Sequence, residues 1–194
     1  MIKNSIFLLF ILFLGIGCKQ SGGGKLTVDN EMPAEKWQEQ FNKTLPLLGH
    51  RNWILVVDKA FPYQNAAGMD YIVANDSLLP VLKYVLDKVN SSGHVKADIY
   101  RDKELSYITE KQVKGVTQYS NDLNKLFSNG QGQVLLHDSV FKKLDSEAKL
   151  FKILVIKTNE TIPYSSVFIR LDCAYWDADE EKQLRINMQK AVKF

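Results

Sequence analysis

The sequence predicts an α/β fold in which a central sheet is covered by helices. Short apolar runs such as WILVV (53–57) and the core of FKILVIK (151–157) are too continuous for strands with one wet face. Between such runs lie longer segments whose apolar residues recur at helical spacing. The two kinds of segment alternate along the chain, as they do when helices pack on a sheet.

Taken in order, Asn30 and Pro33 mark a helix start, and Trp37 and Phe41 give that helix an apolar face at i, i+4. Pro46 stops it, and a Gly49-His50 turn feeds the strand at 53–57. DYIVA (70–74) is a second short strand. Asp76 or Ser77 caps the next helix, with Pro80 tolerated in its first turn and Leu78, Leu82, Val85, Leu86 and Val89 on one face. HVKADIY (94–100) alternates Val95, Ala97 and Ile99 as a half-buried strand. Thr109 and Gln112 form a capping-box pattern, predicting a helix that opens there and runs to about Phe127. SNGQGQ then turns the chain into VLL and His137. A short helix over about 139–149 leads to FKILVIK, and SVFIRLDCAYW supplies a last strand. From Asp177 the tail reads as an amphipathic helix with Leu184, Met188 and Ala191 or Val192 on one face. No repeat or second domain is visible.

Of 194 residues, 45% are hydrophobic and 24% charged, a composition that suits one such domain. The net charge is only +3, with Lys and Arg scattered among almost as many acids, so there is no basic stripe for nucleic acid. No Cys/His cluster has metal-ligand spacing.

The first eighteen residues stand apart. Lys3 gives a positive start, IFLLFILFL an apolar segment too short to span a bilayer, and GIGC a small-residue cleavage zone. The pattern resembles a bacterial lipoprotein signal ending on Cys18, although Gly15 stands where the usual motif prefers Leu. A plain secretory signal cut near the same place is the alternative. A lipidated Cys18 would anchor the protein to a membrane. Lys19, in place of the Asp linked to inner-membrane retention in enteric bacteria, points to the outer membrane. The expected organisation is a signal over 1–18, a flexible tether over 19–30, a folded domain over 31–176 and a helical extension over 177–194. Past the signal only Cys173 remains, so the fold must rest on its core without a disulfide.

Three histidines exist, His50, His94 and His137. His94 opens a strand after SSG and reads as a loop residue. His50 and His137 stand at the edges of strong apolar strands, where loops present side chains from a rigid scaffold. Asp58 follows its strand directly and can equally bind its own backbone in a turn.

LGHRNWILVVDKAFP is similar to the N-terminal signature of the D-ribose pyranase and L-fucose mutarotase (RbsD/FucU) family: Leu-Gly-His, an apolar strand, Asp eight residues after the His, then Pro. KTNETIPYSSVFIRLDCAYW resembles that family's closing segment, and HDSVFKKL its histidine-containing segment before the last short helix. The resemblance spans roughly residues 37 to 176 and is weakest over about 101–132. It implies an RbsD-like three-layer fold, His50 as proton donor, and Asp58, His137, Tyr164 and Ser166 as sugar-binding residues. Ser166 departs from the family's Asn, and Ser165 from its Ala. A Ser hydroxyl reaches less far than a carboxamide and lacks its two donors, so a change in sugar preference is expected. Asn159 replaces a Gly, a tolerable change because Asn accepts left-handed geometry.

The implied activity is interconversion of anomeric or ring forms of a free monosaccharide, fucose- or ribose-like, by acid–base catalysis with no cofactor or metal. The alternative is a non-catalytic sugar-binding envelope lipoprotein. At about 3.3 Å per extended residue, His50 and Asp58 stand roughly 15–25 Å apart, too far for one monosaccharide. Either the flanks fold back or His50 of one subunit meets Asp58 of its neighbour. The resemblance implies a homo-oligomeric ring with sites at subunit interfaces, which favours the second arrangement.

Overall fold

The computed structural model describes residues 35–127 and 132–191. The expected signal, Cys18, the tether and residues 31–34 lie outside these, as do most of the SNGQGQ turn and Val192. Six strands form one sheet: β1 (Trp53–Val57), β2 (Met69–Val73), β3 (Val95–Asp102), β4 (Gln133–Leu135), β5 (Ile153–Lys157) and β6 (Val167–Cys173). Their order across the sheet is β2-β5-β1-β6-β3-β4. Only β6 runs against the others, pairing antiparallel with β1 and β3.

All five residues of β1 are buried, which explains the unbroken apolar run. Ile54 and Val56 face one side, with α1 (Trp37–Thr44), α2 (Leu78–Ser91) and α3 (Val116–Leu126) over them. Trp53, Leu55 and Val57 face the other, against Val140 and Leu144 of α4 (His137–Glu147) and Phe61 of the loop after β1. Helix, sheet and helix make three layers, as expected. Each Leu, Ile or Phe so buried contributes about 1.5–3 kcal/mol of transfer free energy.

Four local differences from the sequence reading have physical causes. The Thr109–Gln112 box does close, Gln112 Oε1 accepting the Thr109 N–H at 2.9 Å. It closes around turns, however, and α3 begins only at Val116, because Gly115 adopts a left-handed φ of 90° that a helix interior cannot hold. β3 runs on to Asp102, two residues beyond HVKADIY, pairing with β4 through its last three residues. α4 starts at His137 itself, with Leu136 at the N-cap. The non-glycine residues with positive φ are Arg51 and Tyr164 among those described; Asn159 does not use that conformation.

The C-terminal helix α5 (Ala178–Ala191) forms as expected, yet its Leu184 and Met188 are exposed, at 39% and 50%. Cys173 is a free thiol.

Candidate functional site

Because five strands run parallel, their carboxyl ends share one edge of the sheet. The chain leaves β1 at Asp58, ends β3 at Asp102, enters α4 from β4 at His137, and enters β6 through Tyr164, Ser165 and Ser166. Asp58, Asp102, His137, Tyr164 and Ser166 line a single cleft of about 570 Å³. Its apolar walls include Phe61, Pro62, Phe141 and Pro163, with Lys59 and Thr161 at the margin. Crevices at the carboxyl ends of strands are where open α/β sheets hold ligands, and the volume lies within the usual range of about 300–1,000 Å³.

Asp58, Ser166 and His137 are each fixed by partners. The Asp58 carboxylate accepts the Ala60 N–H at 2.8 Å, a turn of the kind Asp favours, and the Ser166 hydroxyl at 2.9 Å. Ser166 Oγ in turn accepts the Asp58 backbone N–H at 3.2 Å. His137 rests edge-on against Tyr164, with ring centroids 5.3 Å apart, and near Phe141 at 4.4 Å. Its Nδ1 lies 2.8 Å from Asp102 Oδ2, and its backbone N–H donates to the Glu104 carboxylate at 3.0 and 3.1 Å. That carboxylate thereby caps the N-terminus of α4, where helix dipole and free N–H groups favour an anion.

Asp102 is only 4% exposed. Burial pushes its carboxyl up to about 6, helped by the nearby charges of Glu104 and Asp58 and opposed by the bond to His137. Tyr164 holds a left-handed φ of 59°, a costly conformation for a bulky residue. The segment is pinned from behind: Tyr119 of α3 donates its hydroxyl to the Ser165 carbonyl at 2.9 Å. Burial drives the Tyr119 phenol far above its ordinary range.

Four of the five residues expected at a site therefore come together. His50 does not join them. It sits before β1 at the opposite edge of the sheet, its Nδ1 2.8 Å from Asp172 Oδ1, with Lys96 3.5 Å from the same carboxylate. Burial works to raise the Asp172 carboxyl, but the Cys173 N–H, His50 and Lys96 outweigh it and hold it below the usual range. The flanks of β1 do not fold back, so within one chain His50 and Asp58 cannot share a monosaccharide. His94 lies 3.0 Å from the Leu48 carbonyl and 3.3 Å from that of Ser92, a structural placement.

Asp102, Glu104 and Tyr119 were not anticipated. Asp102 sits in the charged stretch RDKE, which looks like a solvated strand end. The one available signal was its parity with Tyr100, which places it on the face that α4 covers. Among the described residues no group of three or more His, Cys, Asp or Glu side chains is placed to share a metal ion.

Fold and cleft define the class: an α/β protein with a small, polar-floored pocket at the carboxyl edge of its sheet. The chain belongs to the RbsD / FucU transport protein family, whose sequence pattern matches residues 37–173. No curated protein matches it in sequence. Among solved structures it is similar to RbsD of Bacillus subtilis complexed with D-ribose, at 20% identity and a TM-score of 0.48, covering 68% of this chain and 89% of that one. It is similar to FucU from Bifidobacterium longum at 15% identity and a TM-score of 0.47, covering 68% and 92%. The fucose mutarotase of Streptococcus pneumoniae in complex with L-fucose stands at 15% and 0.47, covering 68% and 89%.

Proposed function

We propose that this protein interconverts the anomeric or ring forms of a free monosaccharide, fucose- or ribose-like, by acid–base catalysis in the cleft at the carboxyl edge of its sheet. One observation carries this reading: Asp58, His137, Tyr164 and Ser166, drawn from three separated segments, converge on one pocket of small-molecule size. Ring opening requires the anomeric O–H to lose its proton as the bond from the anomeric carbon to the ring oxygen breaks. The ring oxygen then takes a proton, and the reverse steps close the ring on either face or through another hydroxyl. Positioned acid–base groups contribute typically about 10²–10⁴-fold to such steps, and imidazole is suited to both directions near neutral pH.

In this reading Asp58 and Tyr164 hold sugar hydroxyls, Phe61 and Phe141 cover apolar faces of the ring, and His50 reaches the cleft of a neighbouring copy in a homo-oligomer. Its exposure supports that role, since the side chain is 55% accessible while its Nδ1 rests on Asp172. Lipidation at Cys18 would hold the assembly in the bacterial envelope, at the outer membrane. Labelling with a radioactive fatty acid, lost in Cys18→Ser, tests that placement.

The catalytic reading is tested by exchange NMR on the tether-free domain with L-fucose, D-ribose and D-galactose. Faster exchange between ring forms of one sugar, lost in His50→Ala, is the expected result; unchanged exchange with all three would sink it. One observation favours a second reading, a non-catalytic sugar-binding lipoprotein: the Ser166 hydroxyl is already engaged by Asp58. Sugar binding without faster exchange would establish that alternative.

A further inference from the structure

We propose that Asp102 is a positioning residue that fixes the His137 imidazole so that its Nε2 serves as an acid–base group of the cleft within the same subunit. The inference rests on the mutarotase reading and assigns that reaction a second proton-handling group, distinct from His50.

The ring is held at its Nδ1 edge and by two aromatic neighbours. Nδ1 meets Asp102 Oδ2 at 2.8 Å, the backbone N–H is fixed by Glu104, and Phe141 and Tyr164 confine the ring plane. Among the described residues Nε2 has no partner, and the side chain is 37% accessible from the cleft. Asp102 is placed to do this and little else. Its side chain is wholly buried, and its Oδ1 is enclosed without a hydrogen-bond partner. A buried ion pair with an unpartnered oxygen is a weak source of stability. As an orienting device it is effective: a carboxylate acceptor at Nδ1 selects the Nδ1–H tautomer and leaves the Nε2 lone pair facing the ligand space.

The groups facing the pair are Asp58 from the end of β1, Glu104 from the turn after β3, Lys59 beside Asp58, and Tyr164 from the entry to β6. Two carboxylates, those of Asp58 and Glu104, lie close to Asp102. In the ring-opening step Nε2 takes the anomeric hydroxyl proton. The O–H electron pair forms the carbonyl bond, and the pair from the broken ring bond goes to the ring oxygen. That oxygen takes its proton from a second acid, His50 of a neighbouring copy or water. The proton on Nε2 is returned on closure.

Long-range ¹H–¹⁵N correlation spectra of the wild-type domain near pH 7.5 read the tautomer directly, with His94 as the internal reference. The expected result is Nδ1–H at His137, moving toward Nε2–H in Asp102→Asn. Ring-form exchange should fall about 10–100-fold in kcat in that variant, with KM changed less than about threefold. A wild-type ring that is mainly Nε2–H overturns the proposal, and so does an Asp102→Asn variant that exchanges sugar at the wild-type rate. If Asp102→Asn does not fold, the wild-type tautomer and the rate of His137→Gln decide instead, and an unimpaired His137→Gln overturns the acid–base role. If the wild-type protein accelerates no sugar, the mutarotase reading fails and the acid–base role with it. The tautomer alone then decides whether Asp102 positions the ring.

Discussion

Ser166 and Asp58, 108 positions apart, hold each other: Ser166 Oγ donates to Asp58 Oδ2 at 2.9 Å and accepts the Asp58 backbone N–H at 3.2 Å. The hydroxyl, standing where the family resemblance implies a carboxamide, is therefore a brace for the neighbouring carboxylate. Ser166 is buried, and what it presents to a ligand is the fixed orientation of Asp58.

Removing the brace separates these effects. Ser166→Ala should destabilise the protein by about 1 kcal/mol, the net worth of a typical hydrogen bond, and weaken sugar binding several-fold as Asp58 gains freedom. Ser166→Asn adds the longer carboxamide and should change which of fucose, ribose and galactose binds best. Titration calorimetry of both variants with the three sugars checks this. Identical sugar affinities in all three proteins would show that Asp58 orientation is irrelevant to binding.

Asp102 makes stability depend on pH in an unusual direction. Its carboxyl titrates near 6 in the folded protein, above the ordinary value of 3.8. Below about pH 3 it is mostly neutral in both folded and unfolded chains and has no differential effect. As pH rises through 6 it becomes charged in a buried site, so the folded state loses roughly 2–3 kcal/mol that the unfolded chain does not. Asp102→Asn cannot ionise. Its stability gain over wild type should be small at pH 4 and grow to that amount above pH 6, while its activity falls. Urea unfolding at pH 4, 5, 6 and 7.5 reads the difference, and a flat line across that range would contradict the assignment.

Tyr119 links the helical layer to the cleft through one hydrogen bond, from its buried hydroxyl to the Ser165 carbonyl. Tyr119→Phe keeps the packing and leaves that carbonyl without its donor, at a cost of about 1–3 kcal/mol. Because the bond fixes the segment carrying Tyr164 and Ser166, sugar affinity should fall in the same variant. Thermal melts with and without saturating sugar separate the two effects: the ligand-induced rise in Tm should shrink along with Tm itself.

The parts of this molecule legible in the sequence are those where local pattern and burial agree. β1 shows as five apolar residues because both of its faces are covered, and α2 shows through Leu78, Leu82, Val85, Leu86 and Val89, all of which are buried. The start of α3 was misplaced because Thr109 and Gln112 form a sound local box, while the left-handed Gly115 delays the helix to Val116. Asp102 was invisible for a different reason. Nothing within RDKE says that the first turn of α4, 35 residues on, will enclose it. The left-handed Tyr164 is likewise imposed by its surroundings, since a bulky residue has no local preference for that conformation. Four cleft residues were identified through family resemblance, and their convergence is a property of the sheet's parallel edge.

His50 gives the sharpest test of the assembly. In one chain it lies at the amino edge of the sheet with Asp172, and Asp58 lies at the carboxyl edge across the full length of β1. A side chain that is 55% exposed and held by one surface ion pair adds little to folding, so His50→Ala should change stability by less than about 0.5 kcal/mol. If His50 serves the cleft of a neighbour, the same variant should lose ring-form exchange while keeping its fold. The decisive experiment mixes two inactive proteins, His50→Ala and Asp58→Asn, under conditions that let subunits redistribute. A shared site then predicts recovered exchange, because some interfaces join an intact His50 to an intact Asp58. A site confined to one subunit predicts none, since every chain carries a lesion. Sedimentation run alongside adds an independent check, because a wild-type monomer that accelerates exchange would exclude the shared site outright.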